Sequence, residues 1–328
     1  MKIKRLAAVA AALALFAGSA SAGVDALSAR VNTEDADRFV AIYEAADGSP
    51  TAAELQTGYI DPGTEGLKIF TPHRIKDGGN LSAAIAKESV AYRRAIDVCL
   101  PLARASSAEL RAVYLALVGL LGDPDLPEIY ALFGAGNSGG TAGPGAQVIG
   151  LEVICRYADS EDEIKSLLRS FYAHETVHTF QTPNEKFVVG VDALTASVIQ
   201  EGTADYVAAL VTGRPLAPER AAWAEPRARE IWKAFEKDRR ATKKLTAEKQ
   251  YEKGSPLFRW IGNAGSPPQG WPEELGYWLG MEIAAAYVDA AVDKRAAIKE
   301  LISMTDPDEI IGKSGYGLKM RSKRRGSH

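Results

Sequence analysis

The sequence predicts an α+β fold, mainly helical, with a small β-sheet. Three observations predict it. Apolar residues recur at helical spacing through most of the chain. Two short runs rich in Ile, Val, Leu, Tyr and Phe interrupt that period near the middle. The composition, 46% hydrophobic and 25% charged, is that of a globular protein. A chain of this size can bury a large core as one domain or as two lobes around a cleft.

In chain order, Met1 to Arg5 supplies three basic residues, 6–17 an unbroken apolar run, and Ala20-Ser21-Ala22 a small-residue cleavage site. That layout predicts a secretory signal peptide over 1–22, cleaved after Ala22. Its apolar run is short of the roughly 20 residues that a spanning helix needs. The mature chain is therefore expected to hold no stable membrane span and to be periplasmic or secreted. Removing the three basic residues of the signal from 39 leaves 36 Lys+Arg against 42 Asp+Glu, a formal charge of −6. Such a balance offers no electrostatic footprint for nucleic acid. Two cysteines, Cys99 and Cys155, do not make a disulfide framework; two buried thiols is the plainer reading, and pairing in an oxidising compartment stays open.

Asn32 or Thr33 can cap a helix carrying Phe39, Val40, Ile42 and Tyr43, which ends near Gly48-Ser49-Pro50. A short helix is expected over 52–59, and two amphipathic ones over 81–104, with an interruption at Pro101, and 107–121. The runs 128–133 and 147–154 read as strands separated by a glycine-rich loop. Helical spacing returns over 162–181 and again over 188–211, stopping at Gly213-Arg214-Pro215. Further helices are expected over 218–245 and 272–291. The chain is thus divided into the signal, one domain over 23–318, and a basic disordered tail over 319–328 that carries Lys319, Arg321, Lys323, Arg324 and Arg325.

The chemistry concentrates on the two consecutive helices. His174-Glu175-Thr176-Val177-His178 places two imidazoles one turn apart on one helical face, a spacing that lets both reach a single cation. A catalytic zinc takes three protein ligands and leaves a position to water. On the next helix Glu201 and, one turn later, Asp205 share a face. The reading is Glu201 as third ligand and Asp205 as acceptor of the free ring N–H of His174, with Glu175 as general base. The plainer alternative for these acids is a solvated helix face. Two of only four histidines standing at i and i+4 around a glutamate speaks for the metal.

A donor for the developing oxyanion is needed as well. Tyr277, after Gly276 near a helix start, is the candidate, with Tyr206 competing and a core aromatic as the plain reading. His73, in a loop-like stretch, is read as an exposed imidazole, with substrate binding as the weaker alternative. Gln181 is read as helping to end its helix. The glycines of 134–140 lack the lysine of a phosphate loop, and Pro307 stands where such a pattern before Gly312-Lys313-Ser314 requires glycine. The glycine loop can instead line the cleft, and 147–154 can offer an open edge to an extended peptide, an ordinary hairpin being the alternative.

The pair H-E-T-V-H and E-G-T-A-D resembles the gluzincin branch of zinc metallopeptidases, of which thermolysin is the familiar member. From about Leu55 to Ala291 the chain also resembles a family of bacterial predicted zinc-dependent proteases of uncharacterised function. That resemblance rests on the two metal motifs, on 59–67, on Asn137-Ser138-Gly139-Gly140-Thr141 and on Gly276-Tyr277-Trp278-Leu279-Gly280. It implies a metallopeptidase-like fold, Zn2+, and a peptide or protein substrate. It also implies His174, His178 and Glu201 as ligands, Glu175 as base and Asp205 behind a ligand. Two rival functions use the same residues: an inactive metal-containing protein that binds peptides in the envelope, and a hydrolase of non-peptide amides.

Overall fold

The computed structural model describes residues 23–183 and 186–322. The expected signal, 1–22, lies outside the described residues. The architecture is mainly helical α+β around one four-stranded sheet, in the order β1-β2-β4-β3: β1 Val31–Asn32, β2 Glu128–Leu132, β4 Ala146–Gly150 and β3 Gly140–Gly143. β1 and β4 each run parallel to β2, whereas β3 is antiparallel to β4. Every residue of β4 is buried, as a strand covered on both faces requires.

The sheet departs from expectation in two ways. The run 147–154 leaves the sheet at Gly150 and continues as helix α8, Leu151–Arg156. A short, mostly apolar run carries too little period to separate strand from buried helix. The open edge is consequently β3, because β4 lies between β2 and β3.

Before the sheet come α1 (Glu34–Ala45), α2 (Ala52–Leu55) and α3 (Glu65–Phe70), and π-helical turns at Gln56–Ile60 and Thr71–Ile75 extend the last two. Then follow α4 (Gly78–Lys87), α5 (Ser89–Arg94), a π-helical turn at Ala95–Cys99, α6 (Leu100–Ala105) and α7 (Ser107–Leu121). The interruption expected at Pro101 falls instead at Glu88, where the backbone leaves helical values at φ −128° and ψ 36°. Pro101 sits in the first turn of α6, behind the widened turn, where its missing N–H does little harm.

After the sheet the long helices are α9 (Glu161–Phe180) and α10 (Ala193–Thr212). The charged stretch 218–245 divides into α11 (Pro218–Ala224) and α12 (Ala228–Thr242) at a short 3-10 turn containing Pro226. Then come α13 (Ala247–Gln250), α14 (Leu275–Ala290), α15 (Lys294–Ile302), α16 (Pro307–Ser314) and α17 (Tyr316–Arg321). The stretch expected to be a disordered tail, 319–328, begins instead in a helix. Lys319 and Arg321 belong to α17, which buried Tyr316 anchors against Trp232, and 323–328 lie outside the described residues. Cys99 and Cys155 form a disulfide with Cα atoms 5.9 Å apart, where two thiols had been the plainer expectation. It joins the turn before α6 to α8. Among the described residues no helix is long and apolar enough to cross a membrane.

The two faces of the sheet have different neighbours, and this positions the site. Gln147 of β4 donates from Nε2 to the Tyr172 carbonyl of α9 at 3.1 Å. On the opposite face Gly66 of α3 lies against the Tyr130 ring and Gly143 against Ile69. Paired positions place Gly140, Ala142, Gln147 and Ile149 on the α9 face, and Thr141, Gly143 and Val148 on the α3 face.

Candidate metal centre

Helix α9 starts from a capping box: Ser160 accepts the Glu163 N–H, and the Glu163 carboxylate accepts the Ser160 N–H at 3.0 Å. Helix α10 starts from Asp192, buried and accepting the Thr195 N–H at 2.9 Å, and stops at Gly213, whose φ of 74° suits glycine. A third helix closes the group. α10 and α14 cross where Gly202 meets Gly280; a Cβ on either would lie well inside contact distance of the other helix's backbone. The glycine beside Glu201 is therefore a packing residue, and it brings the first turn of α14, with Tyr277, alongside the metal helices.

The structure brings His174, His178 and Glu201 together. The Nε2 atoms of His174 and His178 are 2.9 Å apart, and Glu201 Oε2 is 3.1 Å from His178 Nε2 and 3.4 Å from His174 Nε2. Among the described residues these three form the one group of His, Cys, Asp or Glu side chains gathered closely enough to hold an ion. Behind them, His174 Nδ1 is 2.8 Å from Asp205 Oδ1 and His178 Nδ1 is 2.7 Å from Gln181 Oε1. Gln181 Nε2 donates to the Gln200 carbonyl at 2.8 Å, which turns its Oε1 toward the imidazole. Gln181 thus does more than end α9; its i+3 position after His178 is the signal that could have revealed this.

These contacts test whether a metal fits. Both Nδ1 atoms face acceptors, so in the neutral rings Nδ1 carries the proton and Nε2 presents a lone pair. Two such lone pairs and a carboxylate oxygen then point at one another, an arrangement that suits a cation between them. A tetrahedral zinc about 2.05 Å from each donor keeps them about 3.3 Å apart. The observed separations bracket that value, and the donor set suits zinc.

The electrostatics of the metal-free cluster agree. Burial works to lower the His174 pKa, but hydrogen bonds to Asp205 and Glu201 outweigh it and leave the imidazole well above its usual range. For His178 burial is likewise outweighed, chiefly by the Glu201 charge. Burial would raise Glu201, yet the His178 charge and both imidazole hydrogen bonds hold it far below the usual carboxylate range. The site therefore attracts positive charge. Glu175, buried on the next position of α9, is pushed up by burial, against the opposing pull of His174 and His178. Its carboxylate occupies the space that a side chain at Gly140 would fill, which sets it against the edge strand.

Tyr277 lies at the site and Tyr206 does not. The Tyr277 ring stacks on His174 with centroids 6.0 Å apart and an interplanar angle of 18°. Burial, with the charges of Glu201, Glu274, Asp205 and Glu175 adding, keeps its phenol protonated. Tyr206 feels Asp289 at the far end of α14. His73 is exposed on the π-helical turn after α3.

Two arginines escaped the sequence reading. Arg220 of α11 lies over the Tyr277 ring at 5.4 Å, donates from Nε to the Glu273 carbonyl at 2.9 Å, and has Nη1 4.0 Å from Asp205 Oδ2. Arg74 donates from Nε to Thr141 Oγ1 at 3.2 Å, and its charge reaches Glu175. Each is brought in from a distant segment, so no local spacing announces it.

Comparison with curated proteins and with solved structures finds no match. A family described as "Predicted Zn-dependent protease (DUF2268)" matches residues 116–311, more than half of the chain, spanning β2 to α16 with both metal-bearing helices and Tyr277. With that span matched and its histidines and glutamate converging as a zinc site requires, the chain belongs to this family of predicted zinc-dependent proteases.

Proposed function

We propose that the protein is an exported, gluzincin-like zinc metallopeptidase that cleaves peptides or proteins, with His174, His178 and Glu201 as ligands and Glu175 as general base. The observation that carries this reading is the convergence of three donor atoms, with both outer ring nitrogens already engaged, beside a buried carboxylate that makes no bond to them. A purely structural site would favour four protein ligands and would have no use for Glu175.

When bound, zinc supplies Lewis acidity, polarising a scissile carbonyl and acidifying a water. Glu175 would take a proton from the attacking water and return it to the leaving amine, a task suited to a buried carboxylate whose pKa burial has raised. Asp205 and Gln181 fix the tautomers of the two histidines. Tyr277, kept protonated, is the donor to the developing oxyanion. The substrate lies along β3: the Gly150 N–H bonds the Gly139 carbonyl, so the alternation of an antiparallel pair turns the backbone groups of Gly140 and Ala142 outward. Export is supported by the signal-like first 22 residues and by a buried disulfide of the kind that persists in oxidising compartments.

The test is to express the chain from Gly23 onward, measure bound zinc, and compare cleavage of a broad peptide library by wild type and Glu175→Gln. Zinc retained with at least about a hundredfold loss of turnover is expected. Equal turnover in both would remove Glu175 from the chemistry, and undiminished zinc in Glu201→Ala would remove Glu201 as a ligand.

A further inference from the structure

Arg74 is a half-buried cation that makes no close ion pair: its charge reaches Glu175 at longer range, but among the described residues no carboxylate lies within 4.0 Å of its guanidinium. Only its Nε is engaged by a side chain, at Thr141 Oγ1. Its backbone is pinned separately, the Arg74 carbonyl accepting the Asn137 Nδ2–H at 2.9 Å, and the residue lies within the π-helical turn Thr71–Ile75. The guanidinium is thus anchored at one end, while its Nη groups, the fork that grips a carboxylate, have no protein acceptor among the described residues.

Its position gives this fork a task. Thr141 lies on the α3 face of β3 and Gly140, which touches Glu175, on the α9 face. Arg74 and Glu175 therefore flank the same open strand from opposite sides. An extended chain added to that strand alternates its side chains between the two faces. The residue whose backbone passes Glu175 has neighbours directed to the side where Arg74 waits, and a chain that ends there places its terminal carboxylate within the same reach.

From this geometry, and resting on the peptidase reading above, we infer that Arg74 is a specificity-determining residue that binds a carboxylate of the substrate. That carboxylate is either an acidic side chain near the scissile bond or the C-terminus of the peptide. A bidentate pair with a half-buried guanidinium corresponds to a preference of about ten- to a hundredfold for the anionic substrate.

The experiment uses the zinc-loaded chain from Gly23 and one core peptide in three forms: amidated and neutral, the same with a free C-terminus, and amidated with a single Glu scanned along it. Wild type is expected to favour one anionic form through a lower KM, and which form it is separates the two sources. Arg74→Gln is expected to lose that preference while keeping its zinc, the KM ratio of anionic to neutral peptide being the quantity read. Arg74→Lys, a charge without the fork, should keep part of it. Binding of the same peptides to Glu175→Gln reads the preference without hydrolysis, so an inactive wild type would overturn the peptidase reading and leave Arg74 still judged. A preference that survives in Arg74→Gln, its absence in wild type, or an equal loss for neutral and anionic peptides would overturn the assignment.

Discussion

Asp205 is a buried carboxylate whose Oδ1 meets the outer nitrogen of His174 and whose Oδ2 faces Arg220. Its negative charge makes the imidazole a better electron donor and holds the ring at one angle. Asp205→Asn keeps the shape and removes the charge. Zinc affinity is expected to fall by about ten- to a hundredfold, measured by competition with a chromophoric chelator. An unchanged affinity would mean that Asp205 serves packing alone. The two histidines, Glu175, Glu201 and Asp205 are legible from sequence because all five sit at helical spacings, and 3.6 residues per turn converts number into direction. Arg74 and Arg220 are not, because their places depend on how α3 and α11 fold back.

At the scale of elements, the contact of α10 with α14 is decisive. Gly202 and Gly280 let the two backbones touch, so the turn holding Glu201 and the turn holding Tyr277 stand close together. Gly202→Ala forces the helices apart; overpacking of this kind costs about 1–3 kcal/mol. The expected outcome is a fall in Tm together with weaker zinc binding, read by thermal melts and metal titration; a fall in Tm with full affinity would show that the two helices can separate without disturbing Glu201. Long helices were readable because several turns repeat the same pattern. β1, two residues long, and β3, Gly-Thr-Ala-Gly, were not, since the first is too short to show a period, the second is half glycine, and both exist through their neighbours.

For the molecule as a whole, the metal centre ties stability to pH. Without metal, His174 and His178 both titrate above the usual imidazole range. A group whose folded pKa is raised contributes stability that is complete below its unfolded value, about 6.5, and is lost as pH climbs through the folded value. Zinc needs the same two nitrogens free of protons, so acid opposes its uptake. The difference in Tm between zinc-loaded and chelated protein is therefore expected to widen from about pH 6 to pH 8. Paired melts across that range check it, and a constant or shrinking difference would contradict it. The disulfide acts independently of this balance: it spans 56 residues that include β2, β3 and β4, and limits the unfolded chain.

The bare position at Gly140 has a meaning for reading other chains. The carboxyl of Glu175 fills the volume that any larger residue there would claim. A relative that keeps both histidines and the glutamate but carries a bulkier residue opposite must swing its acid aside, so the five-residue motif alone does not certify a competent centre. Helix and strand have to be scored together, as two halves of one signature.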